Sequence, residues 1–148
     1  MDARPTGLSA SLNSPRIVLL WLVRMRWIAA AGQVVATALA VYPLGLSPPL
    51  PPIAAVVLLT VASNLWLATW LRRQAVPPEA MVPAVILLDV ILLTALLYCT
   101  GGTGNPFATL YLVHVAIAAV VLRLAQAVAV MVVSAAAYGL IELLHVPL

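Results

Sequence analysis

Long apolar runs leave this chain few ways to fold. Residues 53–71 contain no charged side chain, and residues 106–122 contain none either. Residues 81–100 carry only Asp89, and residues 124–145 carry only Glu142 as an acid. A stretch of about 17–25 apolar residues is what a helix needs to cross a hydrocarbon core about 30 Å thick. Lipid offers the backbone no hydrogen-bond partners, so the runs must satisfy their own N–H and C=O groups as helices. Hydrophobic residues make up 65% of the chain and charged residues 7%, against roughly 45–50% and about 25% in soluble domains. The expected class is all-α: a polytopic transmembrane helix bundle of about five spans. At 148 residues it forms one domain, residues 1–148, with no room for a separate soluble module.

The breaks between runs set the boundaries. Residues 1–14 read as a polar cytoplasmic tail, and Ser14-Pro15 is a helix-start pair. The first span covers about 15–42. Its first part, 17–27, contains Arg24 and Arg26 and reads as an interfacial lead-in to the apolar part at 27–42. The arginines come too late for a signal peptide. A proline-rich hinge at 44–52 leads to a span at 53–71, which ends at Arg72-Arg73. Spans at 81–100, 106–122 and 124–145 follow, with Pro83 tolerable near the start of the third. No Gly or Pro separates the last two. One helix across both would be about 60 Å long at 1.5 Å per residue, twice the core thickness, so the chain must break near Arg123.

All seven basic residues are arginines. Arg4, Arg16, Arg24 and Arg26 precede or open the first span. Arg72 and Arg73 lie between spans two and three, and Arg123 between four and five. With a cytoplasmic N-terminus every one falls inside, as the positive-inside rule requires. Trp21, Trp27, Trp66 and Trp70 cluster near the arginine-bearing ends as an interfacial belt. The net charge of +3 therefore reflects topology rather than a nucleic-acid partner, and no basic face for nucleic acid is present.

The loop from Thr100 to Phe107 is the one glycine-rich stretch, and this orientation puts it outside. Its glycines permit backbone angles that other residues resist. Asn105 is a good helix N-cap, and Pro106 suits the first helical position. The helix start then presents N–H donors beside Phe107, the first large side chain of span four.

Two ionisable side chains lie inside the membrane near this loop. Asp89 is about 16 Å below Thr100, and His114 about 12 Å below the start of span four. On helical spacing Asp89, Leu93, Leu96 and Thr100 share one face, and Phe107, Tyr111 and His114 another. The expected site is a pocket with Phe107 and Tyr111 at its mouth and Asp89 and His114 at its floor. An intramembrane Asp or His either meets a ligand or hydrogen-bonds neighbouring helices, and both readings stand for this pair. Glu142 reads as snorkelling to the interface. Gln33, Asn64 and Gln126 read as helix–helix contacts, and Gly32, Ala36 and Ala40 as a close-packing stripe. Cys99 is a lone thiol, which excludes an internal disulfide and a cysteine metal cluster; such apolar-flanked thiols are more often inert than reactive. No nucleotide loop, metal-spaced His pair or nucleophile elbow is present, so no catalytic or metal-ligating residue is assigned.

Gly101, Gly102, Asn105, Pro106 and Phe107 match the pattern Gly-Gly-x-x-Asn-Pro-Phe. That loop resembles the periplasmic heptapeptide of the RegB/PrrB/ActS-type redox-responsive sensor histidine kinases. Arg26-Trp27 with Gly32-Gln33, Asp89 ahead of the loop, and the His-x-Pro-Leu ending at 145–148 are similar to the same family, from about Arg16 onward. Thr103 stands where the family usually has Leu.

The resemblance implies a domain in the bacterial inner membrane, with the 100–106 loop periplasmic. It implies regulation by ubiquinone near the heptapeptide, with oxidised quinone lowering the activity of a cytoplasmic kinase. It also implies six helices, a homodimer, and a response regulator reached through the kinase. On that reading the chain is the sensor half alone, because a fifth span leaves the C-terminus outside and a cytoplasmic output needs a sixth. The site residues so implied are Gly101, Gly102, Asn105, Pro106, Phe107 and Tyr111, with Asp89 and His114 beneath. Phe107 or Tyr111 stacks on the ring, and N–H groups at 105–107 donate to a carbonyl. The alternatives are an input domain for another ligand, and a small multi-pass transporter or respiratory-assembly subunit using Asp89 and His114 as a polar path. A lipid-acting membrane enzyme ranks below both.

Overall fold

The computed structural model describes residues 15–73 and 76–144. Readings that concern residues 1–14 or the 145–148 ending lie outside that range. The described residues form five α-helices: α1 Pro15–Val41, α2 Leu50–Arg73, α3 Met81–Cys99, α4 Leu110–Val121 and α5 Leu124–Leu144. Two short 3-10 segments, Gly102–Gly104 and Pro106–Thr109, form the loop between α3 and α4. Four of the helices are long and apolar enough to cross a membrane, and the apolar stretch Pro106–Val121 is shorter. This is the polytopic helical bundle expected from the apolar runs.

Two boundaries differ from expectation, and the third, the break at Arg123, falls where expected. Helix α2 begins at Leu50, because Pro51 and Pro52 fall in the first turn, where a missing N–H costs nothing. Span four opens as a 3-10 turn and becomes α-helical only at Leu110. The α4–α5 break is made by Leu122, whose extended backbone (φ −106°, ψ 161°) ends the helix without Gly or Pro. Arg123 follows, exposed and paired with exposed Glu79 at 2.8 Å.

Helix α3 is the hub. It packs against α2, α4 and α5, and it also touches α1. Its sequence explains this: at 19 residues it is apolar on nearly every side, and eight of its residues are buried. One face packs Leu92 and Leu96 on Ile53 and Val56 of α2. A second packs Val90, Leu93 and Leu97 around Tyr111 of α4 and Ile141 of α5. A third joins Val82, Val85 and Ile86 to Leu19, Leu22 and Val23 of α1 and Leu67 and Leu71 of α2. Trp66 and Trp70 stack near the arginine-bearing end of α2, with ring centroids 6.3 Å apart.

Candidate ligand site and a buried charge pair

The glycine loop is built on Asn105. Its Oδ1 accepts from the N–H of Phe107 at 3.0 Å, as an N-cap should. Its Nδ2 donates to both the carbonyl and the hydroxyl of Thr100, each at 2.9 Å. Thr100 in turn donates to the Leu96 carbonyl at 2.8 Å. Asn105 thus ties the start of span four to the end of α3. Two of the three glycines use left-handed angles, Gly101 at φ 89° and Gly102 at φ 63°. Gly104 does not, and a side chain there would meet open space.

The expectation that this loop offers free backbone donors at 105–107 needs correction. The Asn105 N–H bonds Gly102 O at 3.2 Å, Pro106 has none, and the Phe107 N–H is taken by Asn105. The next amide, Ala108 N–H, bonds Asn105 O at 2.9 Å. The loop tightens into 3-10 turns, and that geometry satisfies its own donors. Glu142 is exposed and accepts a hydrogen bond from the Thr103 hydroxyl, so the loop is tied to the end of α5.

Tyr111 and Phe107 do not form one mouth. Tyr111 is buried at 4% exposure, among Val90, Leu93 and Leu97 and edge-on to Tyr138. Thr94 gives its single proton to the Val90 carbonyl at 2.6 Å, so Tyr111 is the donor in their 2.8 Å hydroxyl contact. Phe107 is half-buried. It lines a half-open notch of about 80 Å³ together with Gln33, Thr37, Pro48, Leu96 and Thr100. A larger apolar cleft of about 580 Å³ lies between α2, α3 and α5, flanked by Thr94, Tyr98 and Cys99.

The expected Asp89–His114 floor is replaced by a different pair. Arg26 Nε lies 2.7 Å from Asp89 Oδ1, with the two side chains 4% and 14% exposed. Arg26 is therefore no interfacial residue. It sits eleven residues into α1, and its Nη2 donates to Ser63 Oγ of α2 at 2.7 Å. Next to it, Asn64 Nδ2 donates to the Val23 carbonyl of α1 at 3.1 Å, the helix contact expected of Asn64. A carboxylate at mid-helix needs a counter-charge in lipid, and the guanidinium supplies it while reaching a third helix with its fork. His114 lies within electrostatic range of Asp89, but its Nδ1 is engaged by the Leu110 carbonyl at 2.8 Å. Sequence reasoning missed Arg26 by treating every arginine as a topology marker. The available signal was an apolar helix with an arginine in its interior and a chain with a single mid-span carboxylate.

Among the described residues, no group of His, Cys, Asp and Glu could hold a metal ion.

Residues 12–146 match the family described as the PilS-like transmembrane domain. The chain is also similar to the sensor histidine kinase RegB of Cereibacter sphaeroides, 33% identical over 133 residues. That match covers 86% of this chain and 28% of RegB, so the chain spans little more than a quarter of its relative's length. No solved structure matches the chain. The helical bundle, the capped glycine loop and these two matches agree, and the chain belongs to the PilS-like transmembrane domain family, a membrane sensor domain of the kind carried by histidine kinases such as RegB.

Proposed function

We propose that this domain is the redox-responsive input of a two-component sensor kinase, and that it binds a membrane quinone beside the glycine loop. The observation that carries the reading is the loop itself. Its Gly-Gly-x-x-Asn-Pro-Phe pattern is met residue by residue, and the two motif glycines are the two glycines of this loop with left-handed backbone. Phe107 lies beside a notch open enough for one edge of a flat ring, and an aromatic face suits a quinone. The ring's tail has apolar surface to lie on between the helices.

The rest of the assignment follows the same family logic. The N-terminus is cytoplasmic, the loop periplasmic and the membrane the bacterial inner one. The output is a kinase domain that signals to a response regulator, and the working unit is a homodimer. The transport alternative finds less support, because Asp89 is matched by Arg26 and His114 by a main-chain carbonyl.

The test is binding of a short-chain ubiquinone to detergent-purified protein, read by tryptophan fluorescence. Saturable binding that weakens about tenfold in Phe107→Ala supports the reading, that factor corresponding to about 1.4 kcal/mol. Absent binding, or binding indifferent to Phe107→Ala, sinks it.

A further inference from the structure

Gln33 is a polar residue in the middle of an apolar helix face, and the structure leaves it unfinished. It lines the notch beside Phe107 and Thr100. Its side-chain oxygen is buried and has no hydrogen-bond partner. A buried amide oxygen without a partner is costly, so a residue that merely joined helices would be expected to show one. The Asn64 oxygen is likewise buried and unmatched, but the Asn64 amide still joins two helices by donating to the Val23 carbonyl, and Gln33 shows no such cross-helix bond. Around Gln33 the other polar groups are already engaged. Thr37 donates to the Gln33 main-chain carbonyl at 2.8 Å, and Thr100 donates to Leu96 while accepting from Asn105. The amides of Asn105, Phe107 and Ala108 are engaged as well. Gln33 thus brings to this notch a side-chain acceptor that is still unmatched.

We infer that Gln33 is the polar ligand contact of the notch, hydrogen-bonding the oxygen-bearing edge of a quinone ring whose face lies against Phe107. The ligand class rests on the quinone reading above; the contact rests on the unmatched amide. A space of about 80 Å³ equals two to three waters at roughly 30 Å³ each. That admits the carbonyl edge of a ring and leaves its substituents and tail outside. A carboxamide suits this place because it carries an acceptor and a donor on one planar group. A half-turn about its last bond presents Nε2 to a quinone carbonyl, and the opposite setting presents Oε1 to a quinol hydroxyl. The contact therefore survives reduction of the ligand, and Gln33 holds the ring in either redox state.

The experiment compares wild type, Gln33→Leu and Gln33→Met with a short-chain ubiquinone labelled with ¹³C at one carbonyl. Three readouts are taken: affinity, the infrared stretch of the labelled carbonyl, and the unfolding temperature without ligand. The expected result has four parts. Wild type binds. Both variants bind about tenfold more weakly. The carbonyl band is lowered in wild type and returns to its free position in the variants. The ligand-free unfolding temperature of the variants is unchanged or higher, since an unmatched buried acceptor has gone. Variants that bind as tightly with the same band overturn the Gln33 contact and leave the quinone reading in place. Weaker binding with a lower unfolding temperature and an unmoved band also overturns it, and makes Gln33 a helix contact. Wild type that does not bind overturns the quinone reading and this contact together.

Discussion

Arg26 on α1 and Asp89 on α3 form an ion pair at 2.7 Å in the interior of the bundle, sixty-three positions apart in sequence. Ser63 on α2 closes the arrangement through the second arm of the guanidinium. One side chain thus links three helices near their midpoints, and its removal should be felt by all three.

Removing one partner strands the other charge in a dry environment. Arg26→Met or Asp89→Leu alone should destabilise the protein by about 3–5 kcal/mol, whereas the double variant Arg26→Met with Asp89→Leu should recover most of the loss. Thermal unfolding in detergent of the four proteins checks this as a double-mutant cycle. Additive losses would show that the pair is not coupled.

The loop glycines should divide by backbone angle. Gly102→Ala forces a Cβ into the left-handed region at φ 63° and should cost about 1–2 kcal/mol. Gly104 has no such angle and no neighbour within reach, so Gly104→Ala should change stability by less than about 0.5 kcal/mol. Equal effects on unfolding temperature would contradict the assigned loop conformation.

Asn105 holds three hydrogen bonds with one side chain. Asn105→Ala should destabilise by about 1–2 kcal/mol and speed exchange of the Phe107 amide. Asn105→Asp keeps the acceptor and loses both donors, so the Phe107 amide should remain protected while the tie to Thr100 is lost. Hydrogen exchange resolved at Phe107 separates the two variants.

The exposed pair of Glu79 and Arg123 should matter little. Both side chains are about three-quarters exposed, and such surface pairs contribute about 0–1 kcal/mol. Glu79→Ala should leave the unfolding temperature nearly unchanged at physiological salt. A large drop would mean that the pair, rather than the extended Leu122, makes the α4–α5 break.

What the sequence revealed and what it hid have physical causes. Helix count was legible because bilayer thickness turns apolar run length into a strong constraint, and Arg123 marked the break that no Gly or Pro announced. The Asn105 cap was legible because its chemistry is local: the partners lie within five residues. The Arg26–Asp89 pair was hidden because it depends on which faces of α1 and α3 meet, and those faces are apolar nearly all round, so periodicity gives no direction. Tyr111 was misjudged for a related reason. Helical spacing put it in line with Phe107, but the short loop opens in 3-10 turns of three residues each, and that shifts the angular phase of everything after Pro106. Gln33 read as a helix contact, and only the packed structure shows its oxygen facing no partner.

The closed hydrogen-bond circuit of the loop bears on how a signal leaves it. Because the amides at 105, 107 and 108 are all engaged, any molecule that draws a hydrogen bond from this backbone must first break one, so occupancy and uncapping become one shared equilibrium. The bond from Thr103 to Glu142 is a separate tie to the far end of α5, so a loop uncapped at Asn105 would still be anchored there.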